Sequence, residues 1–94
     1  NGVRVIPNPS DIRKSGVITI RYNATSGTSV KARIFNLAGE LIKTVEAGPG
    51  ANEIKWNVLA ENSYVTAGTY VLVIDARSKV GMHKTITSKF VILR

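Results

Sequence analysis

Residues 17–23 read VITIRYN, and the alternation of apolar and polar side chains in this stretch decides the fold class. Ile18, Ile20 and Tyr22 fall on one side of an extended chain, whereas the threonine and the arginine between them fall on the other. A period of two residues is typical of a β-strand that buries one of its faces. The stretch therefore predicts a strand that packs its apolar side into a core.

The same alternation recurs at residues 30–34, 53–58 and 69–77. The runs at 40–46 and 84–93 are also strand-like, but their apolar residues occupy both phases, so the sequence leaves their facing open. Turn residues separate the runs at 26–28, 36–39, 48–50 and 79–81. About seven short strands with almost no helical periodicity predict an all-β, antiparallel, two-sheet sandwich. A closed barrel of about six strands is the alternative.

The length of 94 residues fits one domain, and no composition break or internal repeat divides residues 1–94. The absence of cysteine excludes a disulfide framework, a thiolate metal site and a cysteine nucleophile. No apolar run approaches the length of about 18–20 residues that a membrane-spanning helix needs. The chain starts at Asn1 rather than at methionine, so we expect it to be a piece of a longer protein, with any export signal outside it.

The formal net charge of +7 is the unusual feature of the composition. Most lysines and arginines occupy outward strand positions singly, so the first interpretation is that they keep sheet edges and faces soluble. Docking to another protein or to an anionic cell-envelope polymer is the second interpretation. Nucleic acid is the third, because the recognised nucleic-acid motifs are missing. The candidate docking face consists of Lys31, Arg33, Val71, Val73 and Arg77.

Candidate catalytic and metal-binding residues are sparse in the sequence. His83 is the one histidine, and without a second histidine or a cysteine it lacks the partners of a usual metal site. The acidic residues are well separated on turns and outward positions, which favours neither a paired acid and base nor a calcium loop. These residues are Asp11, Glu40, Glu46, Glu53, Glu61 and Asp75. We therefore expect no enzyme activity, no metal and no cofactor.

Two aromatic residues are candidates for stacking on a sugar ring. Trp56 shares its strand phase with Ile54 and Val58, which favours a place in the core. Tyr64 lies in the polar connection 59–67, where no periodic pattern predicts burial. It is therefore the better stacking candidate, although a tyrosine that caps one end of the sandwich has the same sequence pattern.

Several short motifs occur in a fixed order along the chain. They are Pro7-Asn8-Pro9, Ile20-Arg21-Tyr22, the run 34–42, Ile54-Lys55-Trp56-Asn57, Ala67-Gly68-Thr69-Tyr70 and Lys89-Phe90-Val91-Ile92-Leu93-Arg94. Together they resemble the Ig-like module named after the flagellar hook-capping protein, and they are similar to the C-terminal sorting domains of the type IX secretion route. Two stretches depart from that pattern, namely Ser10-Asp11-Ile12 and the run 57–62.

The resemblance implies an Ig-like or fibronectin III-like fold and a C-terminal module of an exported, multidomain bacterial protein. It implies a secreted or cell-surface location, with Arg94 as the end of the parent protein. It also implies that secretion or attachment machinery recognises the C-terminal part, around Lys84, Lys89 and Arg94. The glycosylation sequon Asn23-Ala24-Thr25 is expected to be accidental in a bacterial chain.

We therefore expect a non-catalytic module that acts in sorting, in surface attachment or in docking to the upstream domains of its parent protein. The first alternative is a carbohydrate-binding accessory module of a polysaccharide-degrading enzyme, with Tyr64 as the stacking residue. The second alternative is a flagellar hook-assembly domain. Binding of nucleic acid and a membrane span are not expected.

Overall fold

The computed structural model describes residues 3–23, 27–48 and 50–94. Its elements in chain order are β1 (Val3–Ile6), β2 (Ser10–Asp11), β3 (Val17–Tyr22), β4 (Ser29–Asn36), β5 (Leu41–Ala47), β6 (Glu53–Asn57), α1 (Val58–Glu61), β7 (Gly68–Arg77) and β8 (His83–Leu93). Strands dominate this part of the chain, and α1 is one helical turn in the connection between β6 and β7.

The strands form two sheets that pack face to face. The smaller sheet has the order β1-β3-β6, and the larger sheet has the order β2-β8-β7-β4-β5. The prediction of an all-β sandwich is confirmed, and the barrel alternative is wrong because the two sheets are separate. The expectation of purely antiparallel pairing needs one correction. Ser10 and Asp11 of β2 lie parallel to Ile92 and Leu93 of β8, whereas the other described pairings are antiparallel.

The core lies between the sheets, where the alternating pattern predicted it. Ile18, Ile20 and Trp56 are each 0% exposed, and Tyr22 is buried beside them. The other buried apolar residues are Val3, Ile12, Val30, Ala32, Ile34, Ile54, Val58, Val65, Tyr70, Leu72, Ile74, Phe90 and Ile92. Full burial of one large apolar side chain stabilises a fold by about 1.5–3 kcal/mol, so this set can hold the module together without disulfides.

The structure settles the facing of the two runs that the sequence left open. In β8 the apolar residues from Ile86 to Ile92 that contact the core all occupy even-numbered positions. In β5 a bulge inserts Ile42 between the residues that pair with Ile34 and Phe35. Because an inserted residue shifts the phase of a strand, Ile42 contacts the core although it does not share the phase of Val45 and Ala47, which also contact it.

Two of the predicted turns are present. The amide of Gly39 donates to the Asn36 carbonyl at 3.1 Å, and Gly39 has a φ of +84°, which glycine adopts more readily than other residues. The turn between β7 and β8 is closed by the amide of Gly81, which donates to the Ser78 carbonyl at 3.1 Å. Ser26 and Pro49 of the other two predicted turns, and Ala24 and Thr25 of the sequon, lie outside the described residues.

The two ends of the sandwich differ, and β7 runs between them. Near the start of β7, the hydroxyl of Tyr70 donates to the Thr66 carbonyl at 2.7 Å. A tyrosine corner of this kind is a hallmark of Ig-like sandwiches, and we name this end the corner end. At the other end Arg77 pairs with His83, and the turn 78–82 joins β7 to β8. We name this end the hairpin end.

Candidate docking face

The structure brings the five residues of the predicted docking face onto one surface. Lys31 and Arg33 lie on the outward side of β4, and Val71, Val73 and Arg77 lie on the outward side of the adjacent β7. Arg33 is directly opposite Val73 in the strand register. The docking face, defined by these five residues, therefore spans two central strands of the larger sheet, and its role in binding stays a prediction.

Asp75 lies within the docking face and reduces its positive charge. Arg33 Nη2 donates to Asp75 Oδ2 at 2.7 Å, Thr85 Oγ1 donates to Asp75 Oδ1 at 2.7 Å, and His83 Nε2 lies 3.4 Å from Oδ1. The hydrogen bond from Thr85, together with those from His83 and Arg33, lowers the pKa of Asp75. The carboxylate is therefore ionised at neutral pH and offsets the charge of Arg33. Asp75 was not among the residues predicted for the docking face, so this face is less basic than the sequence predicted.

The other cations of the surface differ in how they are held. Lys31 Nζ lies 3.8 Å from Glu46 Oε1, and both side chains are at least half exposed, so this ion pair contributes little stability. Within the described residues, neither Arg77 nor Lys89 takes part in an ion pair. Lys89 lies opposite Val71 in the register of β8 and β7, so it extends the surface by one strand.

The apolar part of the surface includes a residue that the sequence analysis did not name. Phe35 lies opposite Val71, and the guanidinium carbon of Arg33 is 6.0 Å from the centre of the Phe35 ring. Leu41 of β5 pairs with Phe35 and is 54% exposed. The two-residue period that places Lys31 and Arg33 outward also places Phe35 outward, so this signal was available. The surface therefore has an apolar centre with cations around it.

The three residues predicted for the C-terminal attachment end do not share one surface. Lys84 and Lys89 are an odd number of positions apart on β8, so they project from opposite faces of the sheet. Lys84 and Arg94 are separated by about 30 Å of extended chain. Arg94 Nη1 donates to the carbonyls of Ser63 at 2.6 Å and Val65 at 2.7 Å. Of the three, only Lys89 adjoins the docking face.

Comparison with models of protein families identifies the family of this chain. Residues 4–92 match the model of the secretion system C-terminal sorting domain. The chain belongs to this family. The match supports a C-terminal sorting role in an exported protein, and such a sorting role is not a catalytic one. It confirms the resemblance to sorting domains, whereas the resemblance to the hook-capping module stays a prediction.

A solved structure supports the fold of the sorting domain. The crystal structure of CopC from Methylosinus trichosporium OB3b matches it with a TM-score of 0.62 and 16% sequence identity, over 96% of this chain and 89% of that chain. At this identity the likeness shows the fold alone. No curated protein sequence matches the chain. Among the described residues, no helix has the length and apolar character needed to cross a membrane.

Trp56 is a core residue of the sorting domain, as the sequence predicted. Its Nε1 donates to Asn62 Oδ1 at 2.8 Å, and Asn62 itself is only 8% exposed. Asn62 Nδ2 in turn donates to the Ile42 carbonyl and to Tyr64 Oη, both at 3.2 Å. Asn62 therefore links three segments at the corner end. The sequence did not predict this role of Asn62, because a polar residue in an irregular connection carries no periodic signal of burial.

Tyr64 remains available as the stacking candidate of the sorting domain. Its side chain is 66% exposed, while the hydrogen bond from Asn62 holds its hydroxyl. The other candidate, Trp56, is fully buried and cannot stack on a ligand. A glycan-binding role for Tyr64 stays a prediction.

The acidic side chains of the sorting domain take part in separate local contacts. Arg13 Nε donates to Asp11 Oδ1 at 3.0 Å and Arg13 Nη2 to Asp11 Oδ2 at 2.9 Å, and these bonds lower the pKa of Asp11 to about 2. The further ion pairs of acids outside the docking face are Arg21–Glu53 and Lys43–Glu61, and Glu40 accepts from Asn36 Nδ2. Among residues 3–23, 27–48 and 50–94, no group of three His, Cys, Asp or Glu side chains is placed to hold a metal ion.

The edges of both sheets carry features that oppose the addition of a further strand. The edge strands β1 and β2 have four and two residues. The edge strand β6 alternates charged outward residues, Glu53 and Lys55, with its buried ones. On β5, Asn62 covers the Ile42 carbonyl, and Lys43 occupies an inward position with an ion pair to α1. Short, charged and covered edges favour solubility, which was the first interpretation of the net charge.

Proposed function

We propose that the type IX secretion machinery recognises this sorting domain through the docking face and Lys89, and that the domain directs the protein ahead of it to the cell surface or to the medium. The composition of the docking face is the observation that carries the proposal. In a member of a sorting-domain family, one face of the larger sheet combines an apolar centre with two cations, Arg77 and Lys89, that have no ion pair among the described residues.

A sheet face suits this role better than a sheet edge. The edges of both sheets are short, charged or covered, so recognition by addition of a partner strand is disfavoured. The centre of the face offers Val71, Val73 and Phe35, each partly exposed. Specific interfaces commonly combine an apolar centre with a polar rim, and opposite charges across the rim improve specificity and the association rate. The expected partner surface is therefore apolar at its centre and acidic at its rim.

The ion pair between Arg33 and Asp75 fixes the middle of this surface. Because the carboxylate of Asp75 is held by Thr85 as well as by Arg33, the guanidinium is positioned before any partner arrives. A positioned side chain loses less conformational entropy on binding than a free one. We therefore expect Arg33 to supply geometry, and Arg77 and Lys89 to supply net positive charge.

Charge reversal on two surfaces tests the proposal. Residues 1–94 are fused to a reporter in a type IX-competent host, and Arg77→Glu with Lys89→Glu is compared with a control, Arg4→Glu with Lys55→Glu, on exposed positions of the smaller sheet. We expect the docking-face variant to lower the exported reporter by about tenfold and the control to change it by less than about twofold. Equal export of both variants, or retention of the unmodified fusion in the periplasm, would contradict the proposal.

The same fusions test the second partner class, an anionic cell-envelope polymer. If exported reporter is held at the surface by such a polymer, raising the salt concentration should release it, because exposed charge interactions are screened. If salt releases nothing, attachment of the docking face to an anionic polymer is contradicted.

A further inference from the structure

The hairpin end leaves an apolar cleft between the two sheets. The smaller sheet ends there at the pair Val3 and Tyr22, whereas β7 and β8 continue to Arg77 and His83. The inner side of this extension, which includes Ala76 and Ile86, is therefore only partly covered by the described residues. The resulting cleft has a volume of about 420 Å³ and is mostly apolar.

Two exposed apolar side chains stand beside this cleft. Val80 is 82% exposed and Met82 is 72% exposed, more than any other large apolar residue among those described. The turn that carries them is well bonded, since the Ser78 amide donates to the Met82 carbonyl at 2.9 Å and Ser78 Oγ accepts from the Met82 amide at 3.1 Å. The backbone of this turn therefore has a defined position at the hairpin end, and Met82 lines the cleft.

The start of β1 indicates what covers this end. Val3 forms part of the cleft wall, and β1 runs from there toward the corner end. Whatever polypeptide precedes β1 therefore joins the sandwich beside the cleft. Because a C-terminal sorting domain follows the exported part of its protein, we expect that part ahead of β1 in the same chain.

We propose that the hairpin end is the docking site for the part of the exported protein that precedes the sorting domain. An apolar surface of that part covers Val80 and Met82 and closes the cleft. Lys79 and Lys84 are exposed at the same end, so the covering surface should be acidic where it meets them. The proposal rests on the sorting role of the family and not on the docking face.

A covalently linked domain is the occupant that such a small surface favours. Contacts between domains of one chain are commonly modest in area, and linkage raises the effective concentration of the second domain to about the millimolar range. A free partner would have to bind the same few side chains without that advantage. The docking face lies on the outward side of the larger sheet, so the machinery and the preceding domain can contact the sorting domain at the same time.

The test uses the full exported protein with Val80→Ser and Met82→Ser together, and with Lys84→Glu as a second variant. The matched control is Leu37→Ser with Leu59→Ser, two exposed apolar residues away from the hairpin end. Hydrogen exchange of the turn 78–82 and limited proteolysis ahead of β1 report the contact. We expect both hairpin-end variants to speed cleavage and exchange by about tenfold, while the control changes them by less than about twofold.

Three outcomes decide the proposal. Equal protection in the hairpin-end variants and in the control would overturn it. Protection that falls on dilution, with a dimer in light scattering that the Val80→Ser and Met82→Ser substitutions dissociate, would overturn it in favour of a second copy of this chain. Faster cleavage with unchanged export would support it. Failure of the docking-face proposal looks different, because Arg77→Glu with Lys89→Glu would then leave export and hairpin-end protection both unchanged.

Discussion

The two ends of the sandwich finish the same strands in different ways. At the corner end, the side chains of Tyr70, Asn62 and Arg94 bond to backbone carbonyls of β5 and of the connection before β7, and Asn62 also bonds to the side chain of Trp56. At the hairpin end, Val80 and Met82 remain exposed beside an apolar cleft. Hydrogen bonds from the module's own side chains therefore close the corner end, whereas an apolar cleft stays open at the hairpin end.

This difference separates the parts of the molecule that hold the fold from those that meet other molecules. A contiguous apolar surface on a small domain commonly marks an interaction site, whereas satisfied buried polar groups mark internal support. The corner end should accordingly respond to substitution with a loss of stability. The hairpin end should respond with a loss of contacts in the full protein and with little change in stability.

The largest effect is expected from Asn62→Ala at the corner end. The substitution leaves the Trp56 indole N–H buried without its acceptor and removes the donor to the Ile42 carbonyl. Because a buried polar group without a partner costs about 1–3 kcal/mol, we expect the free energy of unfolding to fall by about 2–4 kcal/mol. Urea titration followed by tryptophan fluorescence measures this change directly.

The matched control at the hairpin end is Val80→Ala. Its side chain is 82% exposed, so we expect the free energy of unfolding to change by less than about 0.5 kcal/mol. Similar losses for Asn62→Ala and Val80→Ala would break the comparison between the two ends.

The same Tyr→Phe substitution at two positions provides a second comparison of the two ends, with a smaller expected change in stability. Tyr70 donates to Thr66 at the corner end, whereas the Tyr22 hydroxyl is buried near the hairpin end with no hydrogen-bond partner among the described residues. We expect Tyr70→Phe to lower the free energy of unfolding by about 1 kcal/mol and Tyr22→Phe to leave it unchanged or raise it slightly. Thermal unfolding of both variants at neutral pH gives the comparison, and a larger loss for Tyr22→Phe would contradict it.

Titration of Tyr22 has a defined direction. Burial raises the pKa of Tyr22 above its ordinary value of 10.0. The folded state therefore favours the neutral phenol, and the stability that depends on it is lost as pH rises above about 10. Tyr22→Phe should remove this part of the alkaline loss of stability.

Much of the fold could be predicted from the sequence because β3, β4, β6 and β7 each carry a period of two. The alternation in 17–23 predicted which side of β3 is buried, and the phase of Trp56 predicted its place in the core. Two features carry no such signal. β2 has two residues, and its pairing depends on where β8 lies rather than on its own pattern. The bulge at Ile42 is visible only once β5 is paired with β4.

The candidate surfaces could be predicted in part for the same reason. Strand phase alone brought Lys31 and Arg33 together with the valines of β7 on one face. The same rule, applied to the odd spacing of Lys84 and Lys89, would have separated those two lysines. Strand phase cannot predict the burial of Asn62, which lies in an irregular connection. It also cannot predict the cleft, which exists because β7 and β8 extend beyond the end of the smaller sheet.

Acid pH should lower the stability of the fold through two carboxylates, Asp75 at the docking face and Asp11 at the corner end. The hydrogen bonds to Asp75 from Thr85, His83 and Arg33 lower its pKa below 3.8, and those to Asp11 from Arg13 lower its pKa to about 2. Both carboxylates therefore stabilise the fold above the unfolded pKa, and that contribution is lost as pH falls from about 4 toward 2.

The variant that isolates the docking face is Asp75→Asn. We expect the drop in unfolding temperature between about pH 5 and pH 2.5 to become smaller in this variant, because one of the two lowered carboxyl groups is gone. Arg33, His83 and Lys31 face Asp75 across β4 and β8, so raised salt should weaken the same dependence. An unchanged acid dependence in Asp75→Asn would show that the ion pair does not stabilise the face.

The smallest effect is expected from Tyr64→Ala, and it tests the assignment of the corner end as internal support. Tyr64 only accepts one hydrogen bond from Asn62, and Asn62 keeps its bonds to Trp56 and Ile42 without it. We therefore expect the free energy of unfolding to change by less than about 0.5 kcal/mol, and export of a fused reporter to stay the same. Retention of the module on insoluble polysaccharide that Tyr64→Ala abolishes and Val80→Ala preserves would instead make the corner end a carbohydrate-binding surface.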